Sequence, residues 1–277
     1  MDLYSNTCFE CSKLITERYS TSFSLGIKAF DKKFRGPIYS IYGYVRYADE
    51  IVDTFHNHDK VKLFDAFKKD TLNAIDQGIS LNPVLHSFQD TINHYNIPME
   101  LVEAFWKSME MDIDTSKYEE DSYKEYIYGS AEVIGLMCLM IFCNGDINEY
   151  NRLNPYAKSL GSAFQKINFL RDIKSDYQDR GRVYFPNVKF TEFCEEQKKE
   201  IEVDIKKEFD HAYEGIKQLP EGARLGVYIA YRYYLDLFRK IKSLPASEVA
   251  KRRIRVGDTR KALLFVQAIV KNKFIAA

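Results

Sequence analysis

The chain has 277 residues, 45% hydrophobic and 29% charged, which excludes a disordered segment and leaves room for a large core. Its 40 Lys and Arg balance 40 Asp and Glu, so nucleic-acid binding driven by overall basic charge is excluded as a leading role. Thirteen glycines and seven prolines are too few for a many-stranded sandwich or barrel and favour long helices. The N-terminus lacks the basic-then-apolar plan of a signal peptide. The five cysteines are scattered, and Cys8 and Cys11 form a lone CxxC without a second pair, so the expected setting is a reducing cytoplasm. The run Tyr19-Ser20-Thr21-Ser22 reads as a helix cap or turn. Gly36-Pro37 opens a helix over 36–55 with Pro in its first turn. Asn82-Pro83 and Asn96-Ile97-Pro98 mark two further starts, each a polar cap ahead of Pro. Ser122 and Glu125 fit a capping box before the apolar run 133–143, which is far short of the roughly 20 residues that span a bilayer and reads as a core helix. Asn154-Pro155 begins a helix to about Tyr177, ended by Gly181 and Pro186, and 191–217, 223–242 and 258–271 supply three more. The expected fold is a single all-α domain over 1–277, with about ten helices.

Two of these helices carry the chemistry. On a helix turning about 100° per residue, Tyr42, Arg46, Asp49 and Asp53 fall at about 0, 40, −20 and 20°, a narrow stripe about 16 Å long, while Glu50 points elsewhere. Gln165, Asn168, Asp172 and Asp176 fall at about 0, −60, −20 and 20° on the second. Each stripe ends in an i, i+4 aspartate pair. Like charges so placed repel, by roughly 3 kcal/mol at ~5 Å and an effective dielectric near 20. The neighbours are apolar or aromatic (Ile38, Ile41, Val45, Val52; Ile167, Phe169, Leu170, Ile173), so these are packed helices and not freely solvated acidic faces. A divalent cation relieves the repulsion. Aspartate and amide oxygens suit Mg²⁺, whose shell is usually completed by substrate phosphates. Arg46, Arg171, Arg180 and Arg182 lie in or beside the stripes, and arginine suits bidentate phosphate binding. The pattern therefore points to a diphosphate ester with an apolar tail.

At these residues the chain resembles the squalene/phytoene synthase family of head-to-head isoprenoid synthases. The matching pieces are 19–24, 41–53 with its DxxxD, 126–135, 161–176 with QxxNxxRDxxxD, and 181–186, within a resemblance spanning residues 10–260. It implies the all-α isoprenoid-synthase bundle around a central cavity. It also implies that Asp49, Asp53, Asp172 and Asp176, with Asn168, hold Mg²⁺ (or Mn²⁺). It further implies that Tyr19, Ser20, Thr21, Ser22, Tyr42, Arg46, Asn168, Arg171, Tyr234 and Arg253 bind diphosphate, and that Tyr42, Arg46, Gln165 and Asn168 join the aspartates in catalysis. The expected reaction condenses two geranylgeranyl diphosphates through a cyclopropylcarbinyl diphosphate to phytoene. The alternatives are squalene or dehydrosqualene from farnesyl diphosphate, with NADPH needed only for squalene. Relatives that serve as non-catalytic assembly proteins tend to lose the aspartates, and this chain keeps all four.

The chain departs from the family pattern in places: Tyr19 stands where relatives often have His, Glu50 replaces the second Asp of a common pair, and Ser130-Ala131-Glu132 replaces a more usual Val-Ala-Gly. Expected partners are prenyl diphosphates, a downstream carotenoid desaturase and a membrane surface met peripherally, with no nucleic acid. The membrane expectation rests on residues 239–273, where eleven Lys and Arg oppose Glu248 and Asp258 for a net charge of +9.

Overall fold

The structure, a computed structural model, describes residues 2–114, 118–186, 188 and 190–275; the side chains of 21, 22, 114 and 271–275 lie outside it. Among the described residues there are thirteen α-helices and no strand, as the sparse glycine and proline content predicts.

Helix α1 (Leu3–Tyr19) starts on Asp2, whose side chain accepts from the Ser5 N–H. Ser20 is both a stop and a start: its own N–H bonds to Thr16 O, and its hydroxyl accepts from Phe23 N at the head of α2 (Thr21–Lys28). Helix α3 (Lys32–Asp53) begins four residues before the expected Gly36, so Pro37 lies inside it. Buried Phe34 draws this first turn into the core, and the Asp31 N–H bonds to Gly222 O at 2.9 Å. Helix α4 (Lys60–Gln77) runs from an Asp59 cap to a left-handed Gly78. Helix α5 (Pro83–Tyr95) starts as expected, with the Asn82 side chain accepting from Val84 N and Leu85 N. Asn96, by contrast, does not begin the next helix, α6 (Met99–Asp114); at φ 51° it is the left-handed cap that ends α5. The expected box at Ser122 is displaced by three residues. Glu119 is the cap of α7 (Glu120–Ile127) and Ser122 returns the bond from the third helical position.

A π turn (Tyr128–Glu132) joins α7 to α8 (Val133–Phe142), making one helix of 23 residues where sequence suggested a shorter one. It is apolar and long enough to cross a membrane, but 67% of its apolar window is buried inside the protein, so it is the core helix expected. The long helix α9 (Ile147–Arg180) starts on an Asp146 cap, eight residues ahead of the expected cap at Asn154. Both Pro155 and Asn151, whose carbonyl the proline leaves without its helical donor, are exposed, so water can take the place of the lost bond. Gly181, at φ 69°, ends α9 as predicted. A 3₁₀ turn (Phe190–Glu192) precedes α10 (Glu195–Gln218), and α11 (Glu221–Lys242), α12 (Ala246–Val249) and α13 (Asp258–Ile275) complete the bundle.

The core falls into two clusters. One is drawn mainly from α2–α6 and α8, the other from α7 and α9–α13. Between them lies a cavity of about 710 Å³, lined from both sides.

Candidate active site

The two stripes meet at this cavity. Tyr42, Arg46, Asp49 and Asp53 line it from α3, and Gln165, Asn168, Arg171, Asp172 and Asp176 from α9. Most residues between them in sequence turn away, as the helical angles require, and only the apolar Val45 and Phe169 join them in the wall. Glu50 is not in the wall and pairs with the Arg46 guanidinium. Lys166 points into α10, where it pairs with Asp204 and, at 2.7 Å, with Glu208. Of the residues expected at the diphosphates, Tyr19, Ser20, Tyr234 and Arg253 also line the cavity. The Tyr19 ring lies 4.3 Å from the Arg46 guanidinium. Tyr234 donates to Asn168 Oδ1 at 3.1 Å and stacks on Phe164 at 3.9 Å. Ser20 Oγ is shared with its capping role, accepting from Phe23 N at 3.3 Å. The side chains of Thr21 and Ser22 lie outside the described residues.

Each aspartate faces an arginine. Asp49 lies 3.5 Å from Arg46, and Asp172 takes a two-pronged contact from Arg171 (2.6 and 3.1 Å) and one from Arg253 at 2.9 Å. Arg180 reaches both stripes, at 2.7 Å from Asp176 and 3.5 Å from Asp53. Arg182 holds Asp53 at 2.9 Å. Five arginines thus share the cavity mouth with four aspartates. Burial pushes the Asp49 carboxyl up to about 7; Arg46 opposes the shift, while Asp53 and Asp112 add to it. Asp176 is raised to about 7 as well, by burial first and then by the Asp172 charge.

The wall contains a cluster that the sequence reading missed. Asp112 on α6, only 8% exposed, accepts from Tyr126 at 2.7 Å and from Tyr118 and Tyr184 at 3.2 Å each. Arg182 donates to the Asp112 carbonyl at 2.7 Å and stands 3.5 Å from its carboxylate. Asp112 is therefore tied through Arg182 to Asp53. Its sequence trace was a charge on an apolar face: Val102, Phe105 and Met109, all buried, precede it at helical spacing. Burial also raises its carboxyl, against the pull of Arg182.

Among the described residues no three His, Cys, Asp or Glu side chains converge on one point. The carboxylates stand instead as pairs on two helices across a cavity, with the Asn168 amide beside one pair. All are hard oxygen donors, and an ion shared between such pairs keeps positions for water and phosphate oxygens, which is how Mg²⁺ is commonly held. The Arg46 Nε, buried at the same mouth without a partner, is a donor left over for an anion. The residues fit a divalent ion bound together with a diphosphate.

An all-α bundle with opposed acidic stripes at the mouth of an apolar cavity defines the isoprenoid-synthase class of fold. The chain belongs to the squalene/phytoene synthase family, which it matches over residues 16–260. It is 28% identical over 196 residues to the 4,4'-diapophytoene synthase of Staphylococcus haemolyticus, covering 69% of this chain and 66% of that one. With the phytoene synthase of Mycobacterium tuberculosis it shares 29% over 180 residues, covering 64% and 57%. The chain thus matches less than two thirds of the length of either relative. In fold it resembles a dehydrosqualene synthase solved with a ligand, at TM-score 0.82 and 20% identity over 98% of both chains. It also resembles the squalene synthase HpnC from Alicyclobacillus acidocaldarius, at TM-score 0.77 and 19% identity over 87% and 95%.

Proposed function

We propose that this chain is a prenyltransferase that joins two geranylgeranyl diphosphates head to head, through a cyclopropylcarbinyl diphosphate, to give phytoene, the first committed step toward carotenoids. One observation carries the reading: two aspartate stripes and five arginines share the mouth of a cavity whose wall is otherwise mainly apolar and aromatic. Asp49, Asp53, Asn168, Asp172 and Asp176 are the residues that would hold Mg²⁺ or Mn²⁺, and the ions would neutralise charge on the departing diphosphate. Arg46, Arg171 and Arg253, which line the mouth, would bind diphosphate oxygens, with Tyr19, Ser20 and Tyr42 beside them. Gln165 and Asn168 orient the group from α9. Phe23, Phe164 and Tyr234 close ranks around the space next to the aspartates: Phe23 lies 4.9 Å from the Tyr42 ring and 6.0 Å from that of Tyr234. Such rings exclude water and stabilise an adjacent carbocation by about 0.5–2 kcal/mol each.

The second reading is condensation of farnesyl diphosphate to a dehydrosqualene-type C30 hydrocarbon, favoured by the match to a diapophytoene synthase. Hydride from NADPH would divert that reaction to squalene. If phytoene is the product, the partner expected next is a carotenoid desaturase, and the expected setting is the cytoplasm.

The test is direct. The purified chain is incubated with Mg²⁺ and either geranylgeranyl or farnesyl diphosphate, with and without NADPH, and the extracted hydrocarbon is identified. A C40 product supports the first reading and a C30 product the second. No hydrocarbon under any condition sinks both. Asp172→Ala, with an unchanged far-UV spectrum, is expected to abolish whichever product forms.

A further inference from the structure

Helix α13 is apolar on both sides. Its inner face packs through Leu264 and Ala268, 3% and 0% exposed. On the opposite side Leu263, Val266 and Val270 are 47%, 57% and 54% exposed, and at about 100° per residue they fall within one stripe about 60° wide. A surface helix normally puts polar residues there.

The basic residues of the C-terminal segment sort into two groups. Arg253 belongs to the cavity through Asp172, Arg260 is paired with Asp236, Lys251 with Glu248, and Lys261 with Asp258. Arg239, Lys240, Lys242 and Arg255 are exposed and face no carboxylate among the described residues. Asp236 meets Arg260 while Arg232 meets Gln267, so α11 and α13 run antiparallel. The end of α11 therefore lies beside the start of α13, and these four basic groups gather at one end of the apolar stripe. It is the same end from which Arg253 reaches into the cavity mouth.

We propose that the outward face of α13, with the basic residues at its N-terminal end, docks on an anionic lipid surface. An apolar stripe beside unpaired Lys and Arg matches the boundary between acyl chains and acidic headgroups. A second copy of the chain is a poorer occupant, because α13 carries four Lys and Arg against one Asp, so pairing it with itself supplies no counter-charge for the basic groups at its end. The surface lies outside the catalytic cavity, and the inference does not depend on which hydrocarbon is made.

The test is co-sedimentation of the full chain with phosphatidylcholine vesicles and with vesicles that also contain phosphatidylglycerol. The expected result is pelleting with the acidic vesicles only, weakened by salt. Arg239→Gln with Arg255→Gln should lower the partition coefficient roughly ten- to thirtyfold. Val266→Glu with Val270→Glu should remove binding. Hydrocarbon formation from detergent-dispersed diphosphates, measured on the same variants, is expected to persist, which separates failure of the docking from failure of the proposed reaction. Equal pelleting with both vesicle types, or binding indifferent to both double variants, would overturn the proposal. So would a dimer in sedimentation velocity that Val266→Glu dissolves while no vesicle binding is seen, since the face would then be covered by a second copy.

Discussion

At the scale of single residues, the notable group is Asp49. Its side chain is 31% exposed because it looks into the cavity, yet it lies deep enough for burial to hold its carboxyl at about 7 instead of 3.8. A carboxyl raised in the folded state adds stability below about pH 4 that is lost as the pH climbs to about 7. The charge that a cation needs appears over the same interval, because a ligand must be deprotonated to bind. The concentration of Mg²⁺ giving half-maximal product should therefore fall as pH rises through 7. Asp49→Asn should raise that concentration at least about tenfold and flatten the dependence, as read by Mg²⁺ titrations at several pH values. The stripes were legible in sequence because 3.6-residue periodicity alone puts residues four apart on one face. Asp112 was not legible, because its three tyrosine partners come from 118, 126 and 184, and only folding brings these together. Arg180 and Arg182 were visible as nearby charges, but the bridging of both stripes by Arg180 depends on how α9 lies across the cavity from α3.

At the scale of elements, α9 and the π turn approach closely. A Cβ on Gly161 would lie 2.7 Å from Ala131 O and 2.9 Å from Glu132 Cα, and one on Gly129 would lie 2.3 Å from Ala104 O. Both neighbours are backbone, which cannot swing aside. Gly161→Ala should cost about 1–3 kcal/mol, seen as a lower midpoint in thermal unfolding, and should also reduce product, because α9 carries half of the site. Most helices were legible in sequence, and their ends less so. Asn82 and Gly181 act as read, while Pro37 and Pro155 lie inside helices and Asn96 closes a helix instead of opening one. A proline tolerates a helix interior where the carbonyl it leaves can be hydrated, and Asn serves either end of a helix according to its φ, which local sequence does not settle.

At the scale of the whole molecule, zero net charge resolves into a charged cavity mouth, an apolar interior and a basic C-terminal end. Leu153 lines the cavity 19 residues before Asp172 on α9, about 28 Å from it along the helix. It therefore marks the end remote from the diphosphates. Leu153→Trp should shorten the prenyl chain accepted, shifting the ratio of C40 to C30 hydrocarbon toward C30 when both diphosphates are supplied, with the folded state weakened by about 1–3 kcal/mol. The π turn bears on the same cavity as a matter of phase. Tyr126, Ser130, Ile134, Cys138 and Phe142 all line the wall at a strict interval of four residues. In an unbroken α-helix that interval drifts by about 40° at each step, roughly 160° over the four steps, and would carry one end of the row to the far side of the helix. The π turn takes back about one residue's rotation in the middle of the row. It works as a vernier, keeping one continuous helix in step with the cavity over its whole depth, so that losing a single residue between 128 and 132 would rotate the lower wall away without changing any side chain that forms it.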